Sequence, residues 1–499
     1  MLEARLVELE RQLAWFQKQL FGEKSERRLV DDNPDQLALA GLLGDIPRPL
    51  PVDTEIITYE RGKAKKQRGE DCVTTSGLRF DASVPVEVIA VEAPELTGPD
   101  ADQYEVIDTH TLHRLAQRPA SFVVLRYETP VLKRKDNNAL VTVPAPAGVF
   151  DQSLADVSFL AGLLIDKFQY HLPLYRQHQR LGQAGITLAR ATLTHLCKRS
   201  IELLRPLAAA QLRHILQSKV LAMDETPIKA GRAGKGKLNT GWFWPVYGDA
   251  DEIVFTYAST RAKRHIEQVL AEHFKGTLVS DGYVAYARYT EARDDVVHAQ
   301  CWVHSRRQFI EAEGAEPGLA AIALQYIREL YAIETRIVAD KLDEEHQRDY
   351  RLTYSKPVVD GFFDWCERQL TDQSLLPDNP LIKAVGYVLN RQTALRVFLE
   401  DPQVPLDTNH LERGLRPIPM GRKSWLFCWT ELGAEQVGII QSLICTCKLQ
   451  GIDPYTYLVD VLQRVGVHPA RDVASLTPRL WKEKFATKPM RSDLYRVSQ

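Results

Sequence analysis

The sequence lacks an excess of charge of either sign. Its 63 Lys and Arg residues are matched by 65 Asp and Glu residues, which gives a formal net charge of -2. Because proteins that bind nucleic acid often carry a basic excess, the overall charge gives no support for such a partner. A nucleic-acid partner must therefore be inferred from local basic patches and motifs.

The sequence also lacks a paired cysteine pattern. Seven cysteines lie at positions 72, 197, 301, 366, 428, 445 and 447, an odd number in a chain of 499 residues. This pattern excludes a disulfide scaffold and predicts a reducing compartment. Apolar residues make up 44% and charged residues 26%, close to the globular average, so wholesale disorder is excluded too.

Long apolar runs are absent as well. The strongest of them, such as residues 157–165, are half the length of a membrane span. The amino terminus is charged from Glu3 onward, without the apolar core of a secretory signal. We therefore expect a cytoplasmic protein with no membrane partner.

A leucine seam occupies residues 1–28, and a linker with a basic run is predicted over residues 29–70. The spacings in the seam alternate between four and three, as at the a and d positions of a coiled coil, and this predicts a homodimer or higher oligomer. The seam is shorter than three heptads, which leaves open a helix that docks on its own domain. The seam residues are Leu2, Leu6, Leu9, Leu13, Phe16 and Leu20.

Residues 71–150 are valine-rich and alternate apolar with polar positions, which predicts a small β-rich module. Residues 151–215 are helical in pattern, and two periodic stretches within 172–199 are separated by Gly182 and Gly185. That spacing is typical of a helix-turn-helix and also of an ordinary helical hairpin. We predict Thr187 as the N-cap of the second helix, which would present Arg190 and Lys198 to DNA.

The next segment, 216–315, alternates strands and helices. Apolar runs near 220–223, 242–247, 253–258, 277–280 and 296–300 predict five strands, the first three antiparallel, with a crossover helix before the fourth. The order predicts an α/β core of ribonuclease-H-like type, a mixed five-stranded sheet with helices. Helical spacing predicts an all-α insertion over 316–400. The core would resume over 401–450, before a C-terminal helix and basic tail over 451–499.

Three acids fall where such a core would bring them together. Asp224 and Asp281 end two predicted strands, and Glu412 lies just inside a helix start. Carboxylates held together repel one another, so the trio requires cations. Two Mg²⁺ ions could be shared by these oxygens and keep positions open for water and phosphate oxygens. This arrangement predicts in-line phosphoryl transfer on nucleic acid.

Each acid also has a purely structural explanation. Asp281 followed by Gly282 fits a plain turn, and Asp224 fits the end of a strand. Asn409 and Glu412 have the N-cap to N3 spacing of a capping box. The joint pattern favours a site, because one sheet-and-helix core would place all three acids in one crevice.

The same residues belong to a series of motifs that resembles a known family, the insertion-sequence-sixty-six transposases of the DDE group. The series begins with LFGEKSE at 20–26, HLPLYR at 171–176, DETP at 224–227, DGY at 281–283 and CWVHSRR at 301–307. Its most specific blocks are NHLERGLRP at 409–417 and GRKSWLF at 421–427, followed by SLI at 442–444 and GIDPY at 451–455.

This resemblance implies a DNA transposase that cuts mobile-element ends and transfers the 3′-hydroxyl to target DNA. Asp224, Asp281 and Glu412 would be the catalytic and metal-binding triad for two Mg²⁺ ions, with Mn²⁺ as a substitute. The partners implied are terminal inverted repeats, target DNA and accessory proteins of the same element, at a bacterial nucleoid. Two alternatives stay open, namely an inactive DNA-binding relative that represses and a ribonuclease-H-like nuclease without strand transfer.

The sequence departs from the family at one point. Family members usually carry a zinc knuckle of Cys-x-x-Cys pairs after the linker, whereas residues 71–150 contain only Cys72. With His110 and His113 it makes a poor ligand set for zinc. We predict a zinc-free β module that resembles a zinc knuckle without its cysteines.

Further residues are predicted to support the site or to contact DNA. Cys301, His304 and Asn409 would stand beside the acids, since Cys301 and His304 lack partners for zinc. Trp481 and Phe485 in the basic tail could stack on bases or simply pack. Basic residues near the motifs would contact phosphates, with solvated helix faces as the alternative. The DNA-binding candidates are Arg190, Lys198, Arg306, Arg307, Arg413, Arg416, Arg422 and Lys423.

Overall fold

The computed structural model describes residues 74, 77–118, 121–151, 153–271, 273–371, 375–424 and 427–495. The leucine seam and the linker lie outside the described residues, so their predictions stand untested. None of the helices in the described ranges is both long and apolar enough to cross a bilayer. The six cysteines that fall in these ranges are all buried and unpaired.

The first part of the described chain is a β module. Strand β4 pairs antiparallel with β3 along one edge, and with parallel β2 and antiparallel β5 along the other. Strand β3 was not predicted, because polar residues such as Asp108 and His110 lie on its exposed positions and hide the alternation. The strands are β1 (Arg79–Phe80), β2 (Val86–Ala90), β3 (Tyr104–Arg118), β4 (Ser121–Arg134) and β5 (Leu140–Thr142).

A helical segment follows, with α1 (Val157–Phe168), α2 (Leu174–Gln183), β6 (Ile186–Thr187) and α3 (Arg190–Ile215). The prediction that Thr187 caps the second helix is wrong. Thr187 is in β6, which pairs antiparallel with β1, and α3 begins three residues later after Ala189. The chain is thus extended at the turn because β1 supplies a strand partner. Arg190 and Lys198 are exposed on α3.

The central sheet has six strands, one more than predicted. Its order is β10-β9-β7-β11-β12, with β8 paired to β9. Strands β7, β11 and β12 are parallel, while β9 is antiparallel to both β7 and β10. Strand β8 was missed because glycine and basic residues replace the apolar pattern. The strands are β7 (Val220–Met223), β8 (Thr226–Gly234), β9 (Lys237–Gly248), β10 (Glu252–Ala258), β11 (Gly276–Ser280) and β12 (Val296–Gln300).

Between β10 and the end of the insertion the chain is mainly helical, and a π-helical turn at Arg351–Ser355 joins two of the helices. Arg351 is 1% exposed and donates two hydrogen bonds of 2.8 Å to the carboxylate of Glu334. It also donates to the carbonyl of Phe398. This buried guanidinium therefore ties three parts of the bundle together. The helices are α4 (Lys263–Leu270), α5 (Val284–Thr290), α6 (Trp302–Ala312), α7 (Pro317–Asp340), α8 (Glu344–Tyr350), α9 (Lys356–Thr371), α10 (Pro380–Leu389) and α11 (Gln392–Glu400).

The last part of the chain returns to the central sheet. Its helices are α12 (Asn409–Leu415), α13 (Pro417–Ser424), α14 (Glu431–Leu449), α15 (Pro454–Arg464) and α16 (Pro478–Lys484). Helix α14 covers the edge strand β10, whose Phe255 and Ile253 N–H groups donate to the hydroxyls of Ser442 and Thr446. These bonds satisfy an otherwise open sheet edge. Trp481 is buried and donates to Asp460, so it packs in the core and is not available for base stacking.

Candidate active site

Two acids follow neighbouring parallel strands at the same edge of the central sheet. Strand β7 ends at Met223 and β11 ends at Ser280, with Ala222 paired to Val279. Asp224 and Asp281 therefore leave the sheet side by side. Oxygen atoms of Asp224, Glu225 and Asp281 lie within 4.8 Å of one another, in the one group of three or more potential metal ligands among the described residues.

Glu412 reaches the same cleft from the first turn of α12. The cleft has a volume of about 500 Å³ and is lined by Asp224, Asp281 and Glu412 together with His304 and Arg307. Glu412 stands outside the close group of three oxygens, and its Oε1 lies 3.9 Å from the Nε2 of His304. The three acids predicted from the sequence thus line one cavity, and oxygens of two of them lie within 4.8 Å of each other.

Cys301 fixes the segment that leads into α12. Its buried Sγ accepts a hydrogen bond of 3.3 Å from the Thr408 N–H, and the neighbouring Trp302 N–H donates to the carbonyl of Leu406. Because Cys301 is the N-cap residue of α6, these bonds place Glu412 relative to His304. Burial lowers the pKa of His304, while Asp281 and Glu412 oppose that shift.

Asn409 lies away from the acids. Its side chain donates to Asp407 at 2.5 Å, and both residues line a neighbouring cavity with Tyr331 and Arg413. Helix α12 begins at Asn409 itself, after Thr408, and no side chain caps it. The capping-box explanation for Asn409 and Glu412 is therefore wrong, since Thr408 is the N-cap residue and Asn409 already lies in the first turn of the helix.

Glu225 is a member of the site that sequence analysis missed. Its Oε1 accepts from Arg261 Nε at 2.7 Å, and its Oε2 accepts from the Tyr286 hydroxyl at 2.8 Å. Burial raises the pKa of Glu225, and these two donors oppose that shift. Its position directly after Asp224 was a signal, but its partners lie 36 and 61 residues away in sequence and only the fold brings them there.

Electrostatics in the cleft favour a cation. Burial raises the pKa of Asp224 to about 7, a hydrogen bond from the Glu225 N–H opposes the shift, and the charges of Glu225, Asp281 and Glu412 add to it. A cation at these oxygens would remove that repulsion and release the proton. Carboxylate oxygens are also the ligands that hard divalent cations prefer, so the donor set fits such an ion.

The turn that carries Asp281 is clamped by the helical insertion. Asp281 Oδ1 accepts from the Tyr283 N–H at 2.8 Å, and the Gly282 carbonyl accepts from Arg391 Nη2 at 3.0 Å. Arg391 lies 3.8 Å above the ring of Tyr387. A Cβ atom at Gly282 would collide with the Tyr387 hydroxyl, so a larger residue here would require Tyr387 to move.

The basic candidates surround the cleft unequally. Arg307 and Arg416 are exposed and line it, whereas Arg306 and Arg413 face two neighbouring cavities. Arg422 donates to the carbonyl of Pro227 at 2.6 Å, and Lys423 is exposed beside it. Two of the predicted arginines are therefore placed to meet a phosphate in the acid cleft.

Comparison with known proteins places this cleft in a family. The family model described as "Transposase IS66 family" matches residues 152–436, more than half of the chain and all of the acids above. The chain belongs to the IS66 transposase family. Two more models match other parts of it, the "IS66 C-terminal element" over residues 442–479 and the "Transposase C of IS166 homeodomain" over residues 8–89. The resemblance inferred from the motifs is thereby confirmed.

Relatives of this IS66 transposase occur in Sinorhizobium fredii. The protein named "Uncharacterized protein y4hP" is 28% identical over 526 residues, covering 97% of this chain and 90% of that protein. "Uncharacterized protein y4jD" is 30% identical over 369 residues, 70% of each chain. Membership of the family implies transposition, and with it DNA binding and DNA processing.

Proposed function

We propose that this IS66 transposase cleaves DNA at the ends of a mobile element and joins the freed 3′-hydroxyl to target DNA. Asp224, Asp281 and Glu412 would be its catalytic acids. The observation that carries the proposal is the meeting of these three carboxylates in one cleft, two of them at the ends of adjacent parallel strands. The strand order β10-β9-β7-β11-β12, three antiparallel strands and then two parallel ones, supports a ribonuclease-H-like core.

Two Mg²⁺ ions, with Mn²⁺ as a substitute, suit the donor set. Such ions, when bound, activate a water or a 3′-hydroxyl and stabilise the leaving oxygen. Asp224 and Asp281 would hold the metal from the sheet edge, and Glu412 would complete the set from α12. Glu225 would fix Asp224 through its bonds to Arg261 and Tyr286.

Other residues would bind and orient the DNA. Arg307 and Arg416 would contact phosphates next to the cleaved bond, since both are exposed in the cleft. His304 would position Glu412, and Cys301 would hold the segment before it. Arg190 and Lys198 on α3 would contact DNA farther away.

The leucine seam would pair two subunits, because two element ends must be processed together. The β module is proposed to work without zinc, and the domain boundaries are those predicted from the sequence. Accessory proteins of the same element and a nucleoid location complete the proposal.

Asp281→Asn tests the catalytic assignment. The variant should lose strand cleavage of an end-containing duplex by at least about 10³-fold, because it removes one anionic ligand, while its Kd for that duplex changes less than about threefold. Asp294→Asn, an exposed position on the loop before β12, is the matched control and should cleave normally. Full cleavage by Asp281→Asn contradicts the assignment.

The products of the wild-type reaction separate the alternatives. A repressor would bind the end-containing duplex and show no metal-dependent nicking. A nuclease would nick it and form no joined product. Both strand cleavage and joined products are expected with Mg²⁺, and neither with EDTA.

A further inference from the structure

A surface beside the acid cleft exposes aromatic rings in an unusual way. Phe427 and Trp429 are 46% and 54% exposed, and their rings meet edge to face with centroids 5.6 Å apart. Among the six tryptophans that the structure describes, Trp429 is the exposed one. Large exposed aromatic groups in a soluble domain commonly mark a binding surface.

The backbone holds these two rings outward. The Cys428 N–H donates to the Lys229 carbonyl at 2.8 Å, and the Gly231 N–H donates to the Cys428 carbonyl at 3.1 Å. Residues 427–429 therefore run as a short extra strand along β8, and side chains alternate along a strand. Because the Cys428 side chain is buried, its two neighbours must face solvent.

Positive charge accompanies the rings. Arg232 lies 5.5 Å from the centre of the Trp429 ring, and its neighbours Lys229, Lys235 and Lys237 are exposed on the same hairpin. Residues 226–248 contain no acid, although Glu431 approaches Gly231 from the start of α14. The surface thus combines π-faces with an excess of cations, and this combination suits bases attached to a phosphate backbone.

Strand β8 connects this surface to the acid cleft. Strand β8 begins at Thr226, directly after Asp224 and Glu225. Near its start, the Pro227 carbonyl accepts a hydrogen bond from Arg422 of α13. Arg232 lies six residues after Thr226 on β8, at most about 20 Å away at 3.3 Å per residue. That length corresponds to about six nucleotide steps at the spacing of a strand in duplex DNA.

We infer that Trp429, Phe427 and Arg232 form a stacking site for an unpaired base of the DNA strand whose cleavage takes place in the acid cleft. The inference rests on the proposed function for the identity of the strand. The ring faces would stack on the base and the hairpin cations would contact its flanking phosphates. Stacking is tolerant of sequence because every base has a π-face.

The test is the binding of a fluorescein-labelled single strand of 20 nucleotides to the full chain in EDTA, measured by anisotropy. Trp429→Ala should weaken binding about tenfold, and Trp429→Phe should keep most of the affinity because it retains a ring. Leu432→Ala, at a position 53% exposed without a π-face, is the control and should bind like wild type. A paired 20-mer should be bound equally by all variants.

The dependence on salt separates stacking from lost phosphate contacts. Trp429→Ala should leave the slope of log Kd against log salt unchanged, since a stacked base releases no counterions. Wild-type affinity in Trp429→Ala would overturn the inference, and so would a change of oligomeric state in that variant, which would make the surface a contact between copies. Neither result depends on cleavage. Absence of cleavage by the wild-type protein would instead overturn the proposed function.

Discussion

Asp224 shows how the fold changes the chemistry of a single side chain. Its carboxyl would be ionised at pH 5 in an unfolded chain, whereas burial and three neighbouring carboxylates raise its pKa to about 7 in the folded one. The folded protein therefore binds the proton more tightly than the unfolded protein does between about pH 4 and pH 7. Without metal, the stability that this residue contributes is present at the acidic end of that range and is lost as the pH rises.

Asp224→Asn should for this reason stabilise the metal-free protein at pH 8. The Tm in EDTA is expected to rise by about 1 °C, equivalent to about 1 kcal/mol for a chain of this length, and the gain should shrink at pH 5. Thermal unfolding at both pH values measures it, with Asp294→Asn as the neutral control. Equal Tm values for wild type and Asp224→Asn at pH 8 would show that the carboxylates do not repel one another in the folded state.

At the residue scale the sequence predicted the acids better than their surroundings. Asp224, Asp281 and Glu412 stand in motifs that can be read directly, and the structure places them around one cleft. The role of Glu225 depends on its partner Arg261, which is distant in sequence. The role of Asn409 depends on its hydrogen bond to Asp407. Spacing along the chain does not contain that information.

At the scale of elements, the helical insertion acts through Arg391 on the turn that carries Asp281. This side chain follows α10, donates to the Gly282 carbonyl and to the Tyr387 carbonyl, and stacks on the Tyr387 ring. The turn after β11 is thereby fixed by a segment more than 100 residues later in the chain. The insertion is consequently part of the frame that positions Asp281.

Arg391→Ala should lower the rate of strand cleavage about 10- to 100-fold and raise the Mg²⁺ concentration needed for half-maximal rate, because Asp281 loses its fixed position. DNA affinity should stay unchanged. Arg391→Lys should restore the rate of cleavage only in part, since one ammonium group cannot replace the two-pronged guanidinium that bonds to two carbonyls. Arg396→Ala on α11, where the arginine bonds to Asp360, is the matched control. A wild-type Mg²⁺ dependence in Arg391→Ala would rule out this positioning role.

The elements that could be predicted are those whose apolar pattern is strong. Five strands of the central sheet are visible as apolar runs, whereas β3 and β8 carry polar or basic residues and glycine. Both are recognisable only through their partners β4 and β9. The same holds for Thr187, because the strand partner that draws it into β6 lies about 100 residues earlier.

At the scale of the whole molecule, the leucine seam predicts an oligomer. Replacing Leu9 and Leu13 by Lys should convert the oligomer to a monomer, because charges at a and d positions cannot be buried between helices. Light scattering after size exclusion measures the mass. Lysines at Gln12 and Gln17, which lie off the seam, form the control. An unchanged mass in the seam variant would favour the docked single helix.

The near-neutral net charge has a spatial explanation. Four cations on the β8–β9 hairpin and the arginines of the cleft are offset by acids elsewhere, so local patches coexist with a total of -2. Composition alone could not reveal this arrangement, since it depends on which faces the fold brings together. The family motifs, by contrast, were readable from the sequence because they are contiguous.

Because the insertion interrupts the core, the acids of the cleft are synthesised at different times. Glu412 is 131 residues after Asp281 (412 minus 281), and helices α7–α11 emerge between them. At about 5–20 residues per second, the ribosome needs roughly 7–26 s to supply the third acid after the second. A chain released early, within the insertion, carries only two of the acids. On the proposed mechanism such a fragment cannot cut DNA, because the third acid is missing from it.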